Sequence, residues 1–379
     1  MKRYRVLELR GIDWTLRELI AGTIKKQDYV GLINANPKSW KSLDLNEIEP
    51  QVENIMEWQG GKISVVIAKE VVFWPANGGV RNKSGFLIAD FFHSASKLQT
   101  AITHRSFPRY RTISIDTPCA TVGNPNRNFY HRMVDSIPRV FCLWHPALLE
   151  IESVTLIVDQ RFSPDELDLI KFLVPPNVKT VCVPYCLQVA AKNYIHLPTL
   201  SSRRTDDTPA WAGDSAGYLP QSYLMWFRPR ALKWAECRQN SNPQRKIFIS
   251  RSRARIRRMK NEKQVVSILK RRGFQEVYLE EISLRQQIAL FNDAKCVVGQ
   301  HGAGLANIIH MQSGGTVCEI MSSPHKLQHY SLLAANLGLV HEQMPGDCAD
   351  KNGDVKVNLS KMESILDNLC SAKSFNGSP

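Results

Sequence analysis

No stretch of this sequence stays apolar long enough to cross a bilayer, so no transmembrane helix is expected. The complete Gly-x-Gly-x-x-Gly fingerprint of dinucleotide sites and its downstream acid are missing, which argues against a nicotinamide-dependent oxidoreductase. No Asp-x-Asp pair is placed to hold a divalent ion. The nine cysteines are odd in number and scattered, unlike the framework of a disulfide-stapled secreted domain. The close pair Cys182 and Cys186 lacks a second Cys/His pair at zinc spacing, so reduced, buried thiols are expected. The basic start, Met1 to Arg10, is broken by charge before an apolar run develops; no signal peptide is expected, and the protein is read as cytoplasmic. Internal repeats and low-complexity tracts are absent apart from a short Gly/Ser-rich tail after Lys373.

What is present is an ordinary globular composition. A chain of 379 residues, 43% of them hydrophobic, can bury the cores of two domains. The net charge of +14 favours anionic partners: nucleotides, acidic glycans, nucleic acid or a lipid surface. A basic face allows peripheral contact with the inner face of the cell membrane.

The first 60 residues carry no periodicity that assigns a role. Apolar runs at 63–68, 71–74 and 85–89 read as strands forming a sheet edge or hairpin. After the turn cluster 124–128, residues 129–141 read as a helix kinked near Pro138. Spaced by four, His131, Asp135 and Arg139 would share one face of it, either as converging functional groups or as a solvated polar stripe. Strand 154–158, a helix from Pro164 to Leu173 opened by Ser163, and strand 178–183 make a βαβ unit, which implies a parallel sheet. The Ser/Thr/Asp/Gly/Pro-rich stretch 198–220 reads as linker and as a mobile loop beside a cleft. A helix over 221–240 then leads to the second half.

There the pattern alternates: strand 246–250, helix 261–272, strand 275–279, helix 283–293, strand 295–299, a glycine turn, helix 304–311, strand 316–321, helix 327–337. Such alternation predicts a Rossmann-like parallel sheet with ligand loops at the strand carboxyl ends. The turn Gln300-His301-Gly302-Ala303-Gly304 has the layout of a phosphate site, with backbone N–H groups and a helix dipole behind it; the competing reading is a plain tight turn. Ser250 to Arg258 follows the first strand of this half, where an arginine can take a phosphate through two parallel hydrogen bonds. Glu262 reads as a helix-dipole partner. Glu319, one strand beyond the turn, is placed either to accept from a ribose or sugar hydroxyl or to pair with an arginine.

These segments together resemble glycosyltransferase family 61. The resemblance rests on Phe129-Tyr130-His131 through Asp135-Ser136-Ile137-Pro138-Arg139, on Ile249-Ser250-Arg251 with Arg257-Arg258 and Asn261-Glu262, and on Gly299 to Asn307. Supporting matches are Gln287 to Ala294, Met311, Glu319-Ile320 and Tyr330 with Leu337-Gly338. One departure is Arg132, where the family usually has tryptophan, at the acceptor or catalytic pocket. A bacterial-type member, similar to capsular polysaccharide enzymes, is suggested.

The resemblance implies an α/β fold of GT-B type, with two facing Rossmann-like domains and parallel sheets. It also implies an inverting, metal-independent transfer from a nucleotide-sugar co-substrate, with no further cofactor. The expected division is an acceptor-side domain over 1–205, a linker and connecting helix over 206–240, a nucleotide-sugar-binding domain over 241–345, and a C-terminal helix and tail over 346–379. Asp135 is the expected general base, with His131 the alternative and Arg139 as acceptor-side support. Arg251, Arg257, His301, Gly302, Ala303 and Gly304 are expected on the donor's diphosphate and nucleotide, and Glu319 and Asn307 on its ribose or sugar. The expected partners are a nucleotide sugar, with a UDP-sugar as the expected donor, and a glycan or lipid-linked glycan; no specific nucleic acid is expected. The alternative is a non-catalytic module that binds nucleic acid or acidic glycan with salt-steep affinity.

Overall fold

The computed structural model describes residues 5–7, 41–44, 64–76, 78–82, 86–88, 111–124, 128–201, 219–322, 329–347, 350 and 353–371. Most of the first 60 residues, most of the loop expected at 198–220 and the tail after Lys373 lie outside this set. The chain divides into two compact units, Met1–Arg230 and Ala231–Pro379.

In the first unit the strands are β1 (Arg5–Leu7), β2 (Lys41–Asp44), β3 (Ser64–Phe73), β4 (Val80–Asn82), β5 (Phe86–Ile88), β6 (Arg111–Ile115), β7 (Cys119–Thr121), β8 (Val154–Asp159), β9 (Val178–Val183) and β10 (Leu187–His196). They form one sheet in the order β1-β5-β4-β3-β10-β7-β8-β9, with β2 on β3 and β6 on β10. Pairing is parallel from β10 through β7 and β8 to β9, and antiparallel where β3 meets β10, β4 and β2. The first sheet is therefore mixed, not parallel throughout. The runs at 63–68 and 71–74 belong to the single strand β3, in which Glu70 has φ 53°, and β3 forms an antiparallel hairpin with the next strand, β4.

The expected crossover is present. Helix α1 (Pro164–Leu173) joins β8 to β9 and starts at a capping box, in which Ser163 Oγ accepts from the Glu166 N–H and Glu166 Oε2 from the Ser163 N–H. Helix α2 (Gln221–Trp234) packs an aromatic cluster: Tyr223 stacks on Phe227 with centroids 5.2 Å apart, and Trp226 meets Phe141 at 5.3 Å.

The second unit holds β11 (Arg245–Ile249), β12 (Phe274–Val277), β13 (Ala294–Gln300), β14 (Thr316–Ser322) and β15 (Val340–Gly346), all parallel, in the order β12-β11-β13-β14-β15. Between them run α3 (Glu262–Arg271), α4 (Leu284–Asn292), a 3-10 helix at Ala303–His310 and α5 (His329–Asn336), with α6 (Leu359–Ser371) last. Phe248, Val298, Cys318 and Ile320 pack against Val265, Ile268 and Leu269 of α3 and Met362 and Leu366 of α6. Each such buried side chain contributes about 1.5–3 kcal/mol. The strand order reverses between β11 and β13. In open α/β sheets, ligands bind outside the carboxyl ends of the strands at such a reversal.

Candidate functional site

Two chain segments leave the sheet at that reversal: the loop after Ile249 and the turn after Gln300. Arg251 is fixed between them. Its Nε donates to the Arg257 carbonyl at 2.8 Å and its Nη2 to the Ile256 carbonyl at 3.1 Å. Nη1 lies against Gly302, where a Cβ would come within 2.7 Å of it. Both of these side-chain hydrogen bonds go to carbonyl oxygens, while the carboxylates of Glu280 and Glu262 act on the guanidinium only through space. Burial, and then the neighbouring Arg257, pull its pKa below the ordinary arginine value, yet arginine stays cationic throughout the physiological range. Arg257 is exposed and has φ 56°, a left-handed conformation that turns its carbonyl onto Arg251. Glu262, in the first turn of α3, is a bracket more than a dipole partner: Oε1 accepts from the Ser250 hydroxyl at 2.6 Å and from the Arg251 N–H at 2.9 Å.

The turn differs in detail from its sequence-based expectation. The segment after it is a 3-10 helix, so the dipole of a full α-helix is not available. What remains are the N–H groups of Ala303 and Gly304, which precede the first turn-closing bond, from the Leu305 N–H to the Gly302 carbonyl at 3.1 Å. The glycines make room for protein: Gly302 for Arg251, and Gly304 for Leu279, whose Cδ1 would sit 2.8 Å from a Cβ. Tyr330 donates its hydroxyl to the Gly302 carbonyl at 2.6 Å.

His301 and Glu319 are joined. The buried Glu319 carboxylate accepts from His301 Nδ1–H at 2.6 Å and from His341 Nε2–H at 2.9 Å. Both Glu319 oxygens are thus engaged by imidazoles, a pairing outside the two sequence-based readings, a ribose or sugar hydroxyl and an arginine. Asn307, expected on the donor's ribose or sugar, is wholly buried, and its amide donates to Gln287 Oε1 and the Gly304 carbonyl, bracing the turn. Burial alone would raise Glu319, but the hydrogen bonds from His301 and His341 outweigh it and hold the carboxyl below its ordinary value near 4.5. A depressed folded-state pKa gives stability that is present above the unfolded value and is lost as pH falls through the folded one. Glu319→Gln should therefore flatten the acid limb of melting temperature against pH, read by scanning calorimetry from about pH 3 to 6.

In the first unit, residues 129–144 are helical but change winding twice. An α turn, Phe129–His131, leads into a π turn, Arg132–Ser136, and then a 3-10 helix, Ile137–Trp144, which takes in Pro138 near its start. His131 and Asp135 still meet, with Nδ1 2.5 Å from Oδ2, while the Ser201 hydroxyl donates to Oδ1. Asp135 is fully buried, whereas the His131 side chain is 21% exposed. Of the two groups expected as base from the sequence, His131 is the more accessible and Asp135 lies behind it, held by His131 and Ser201.

Arg139 places its hydrogen bonds elsewhere, although the Asp135 carboxylate still acts on it through space. Beyond the π turn the face rotates, and its guanidinium donates to the carbonyls of Leu197 and Gly123 at 2.7 and 2.9 Å. Desolvation by burial lowers its pKa. Arg132 turns to α1, donating to Glu166 Oε1 at 2.7 Å and the Arg161 carbonyl at 3.2 Å, so this departure anchors the helical segment at the α1 capping box. Ser201, Glu262, Tyr330 and His341 were not assigned these contacts from sequence; of them His341 alone stood outside every segment singled out. Among the described residues no helix is long and apolar enough to cross a membrane.

Two comparisons with known proteins bear on this geometry. A beta-1,2-xylosyltransferase of Arabidopsis thaliana is 29% identical over 91 residues, a match that covers 24% of this chain and 17% of that protein's length. The family model described as Glycosyltransferase 61 matches residues 129–318, half of the chain, and so takes in the His131–Asp135 pair, the Arg251 loop and the glycine turn. The chain belongs to the Glycosyltransferase 61 family.

Proposed function

We propose that this protein transfers a sugar from a nucleotide-diphosphate donor, a UDP-sugar, to a hydroxyl of a glycan acceptor with inversion at the anomeric carbon. The observation that carries the reading is the placement of Arg251 against Gly302 at the strand-order reversal, beside the N–H groups of Ala303 and Gly304. The guanidinium, His301 and those N–H groups would hold the diphosphate and stabilise its charge as it leaves. That supply of positive charge is the basis for proposing metal independence.

In the first unit, the Asp135 carboxylate holds the His131 Nδ1–H and so makes Nε2 the basic nitrogen. His131 Nε2 would take the acceptor hydroxyl's proton as that oxygen bonds to the anomeric carbon and the bond from that carbon to the diphosphate oxygen breaks. The GT-B-type division of labour, with donor binding in the second unit and the base in the first, is part of this proposal. So are a lipid-linked acceptor in bacterial surface-polysaccharide assembly and peripheral contact with the inner membrane face, which the net charge of +14 supports. The family match does not favour the non-catalytic polyanion-binding alternative.

UDP should raise the melting temperature of the wild type, and Arg251→Ala should remove most of that shift; Arg251→Lys should restore little of it, because lysine lacks the planar fork. Transfer should persist in EDTA. Absence of stabilisation by every nucleoside diphosphate would overturn the proposal.

A further inference from the structure

Both units contain a histidine whose Nδ1 faces a buried carboxylate, and the same pairing has opposite consequences in the two settings. Beside an acceptor hydroxyl, a ring with Nδ1–H committed to a carboxylate has the lone pair on Nε2 that a base needs. Beside a phosphate, that lone pair is repelled. His301 can then donate from Nε2 only after a proton is added there.

We infer that binding of the donor's diphosphate takes one proton from solvent onto His301, and that His341 is the positioning residue that imposes this by holding the far oxygen of Glu319. The inference rests on the diphosphate reading given above. The charged and titratable groups around His301 come from each neighbouring element. Glu319 of β14 favours the imidazolium, and His341 of β15 reaches it only through Glu319. Tyr330 of α5 presents its ring at 5.5 Å, and Arg251 of the loop after β11, lying against Gly302, opposes the imidazolium until an anion arrives.

His341 matters because Glu319 is buried. With Nε2–H of His341 on Oε2 and Nδ1–H of His301 on Oε1, both oxygens are satisfied and the carboxylate stays ionised. Remove the His341 donor, and one oxygen of a desolvated carboxylate loses its partner. Glu319 then takes up the proton itself and donates it to His301 Nδ1, which moves the imidazole hydrogen to Nε2. The neutral pair can now meet a phosphate without gaining a proton. His341 lies 22 residues beyond Glu319, on a strand with no apolar run to mark it, and the parallel pairing of β14 with β15 brings the two together.

The test is isothermal titration of the full chain with UDP at pH 8, where an ordinary imidazole is neutral and the UDP phosphates are ionised. Two buffers of different ionisation enthalpy give the number of protons bound. Wild type should take up about one proton per UDP, His341→Phe close to none, and His341→Gln, whose amide can still donate to Glu319, about one again. In parallel, 15N spectra of the wild-type imidazoles should show His301 protonated on Nδ1 alone without UDP and on both nitrogens with it; this arm needs no variant to fold. UDP binding without proton uptake, or uptake unchanged in His341→Phe, would overturn the inference and leave the diphosphate site standing. Failure of every nucleoside diphosphate to bind would remove both.

Discussion

His131→Ala lowers kcat for sugar transfer by about 10³-fold while the affinity for UDP stays within about twofold of wild type. The two halves of that expectation come from different units: His131 is in Met1–Arg230, and the Arg251 loop and glycine turn are in Ala231–Pro379. Asp135 is not expected to take over the proton transfer, because it is fully buried and its two oxygens are engaged by His131 and by Ser201. Asp135→Asn should cost about 10²-fold, since an asparagine amide directed at Nδ1 would favour the tautomer with hydrogen on Nε2 and block it as a base. Steady-state transfer assays with binding measured separately distinguish these effects. A His131→Ala enzyme within tenfold of wild type would remove His131 as the base, and an Asp135→Asn enzyme more impaired than His131→Ala would return that role to the aspartate.

The second unit was legible because each of its elements carries its own signal. The strands are short buried runs, and α4 announces its start with Ser283, whose side chain and that of Gln286 cap each other's backbone. Alternation of such units leaves few topologies, and the reversal beside β11 follows from them. β15 escaped because its residues are mostly exposed or half-buried and carry a polar stretch, His341 to Gln343. With β15 went the partner of Glu319, so the carboxylate looked available for a sugar.

The first unit shows a different limit. Spacing by four places His131, Asp135 and Arg139 on one face only while the winding stays α, and the winding here passes through a π turn to 3-10. Nothing local to residues 129–141 states that change. The glycine turn carried half of its meaning: the sequence shows that Gly302 lacks a side chain, and only the fold shows that the guanidinium of Arg251 uses the space.

The same kind of vacancy governs stability at Gly123, and Gly123→Ala should destabilise the first unit by about 3 kcal/mol or more, lowering its melting temperature by roughly 10 °C. A Cβ there would fall inside van der Waals contact of the Pro75 carbonyl oxygen and 2.7 Å from its carbon, and both are backbone atoms that no rotamer change can move aside. Relief by shifting the chain is also obstructed. The Gly123 carbonyl accepts from the buried Arg139 Nη1 at 2.9 Å, and the Gly123 N–H donates to Thr121 Oγ1 at 3.1 Å, so displacement would strip a buried guanidinium of an acceptor. Gly273→Ala is the control: its φ of 80° disfavours alanine, yet nothing lies within 4 Å of the added Cβ, so the cost should stay near 1 kcal/mol. Thermal and urea unfolding followed by circular dichroism would rank the two. If Gly123→Ala melts within about 2 °C of wild type, the strand end and the Pro75 turn are not in the close contact that also seats Arg139, and the helical segment carrying His131 must be held by other means.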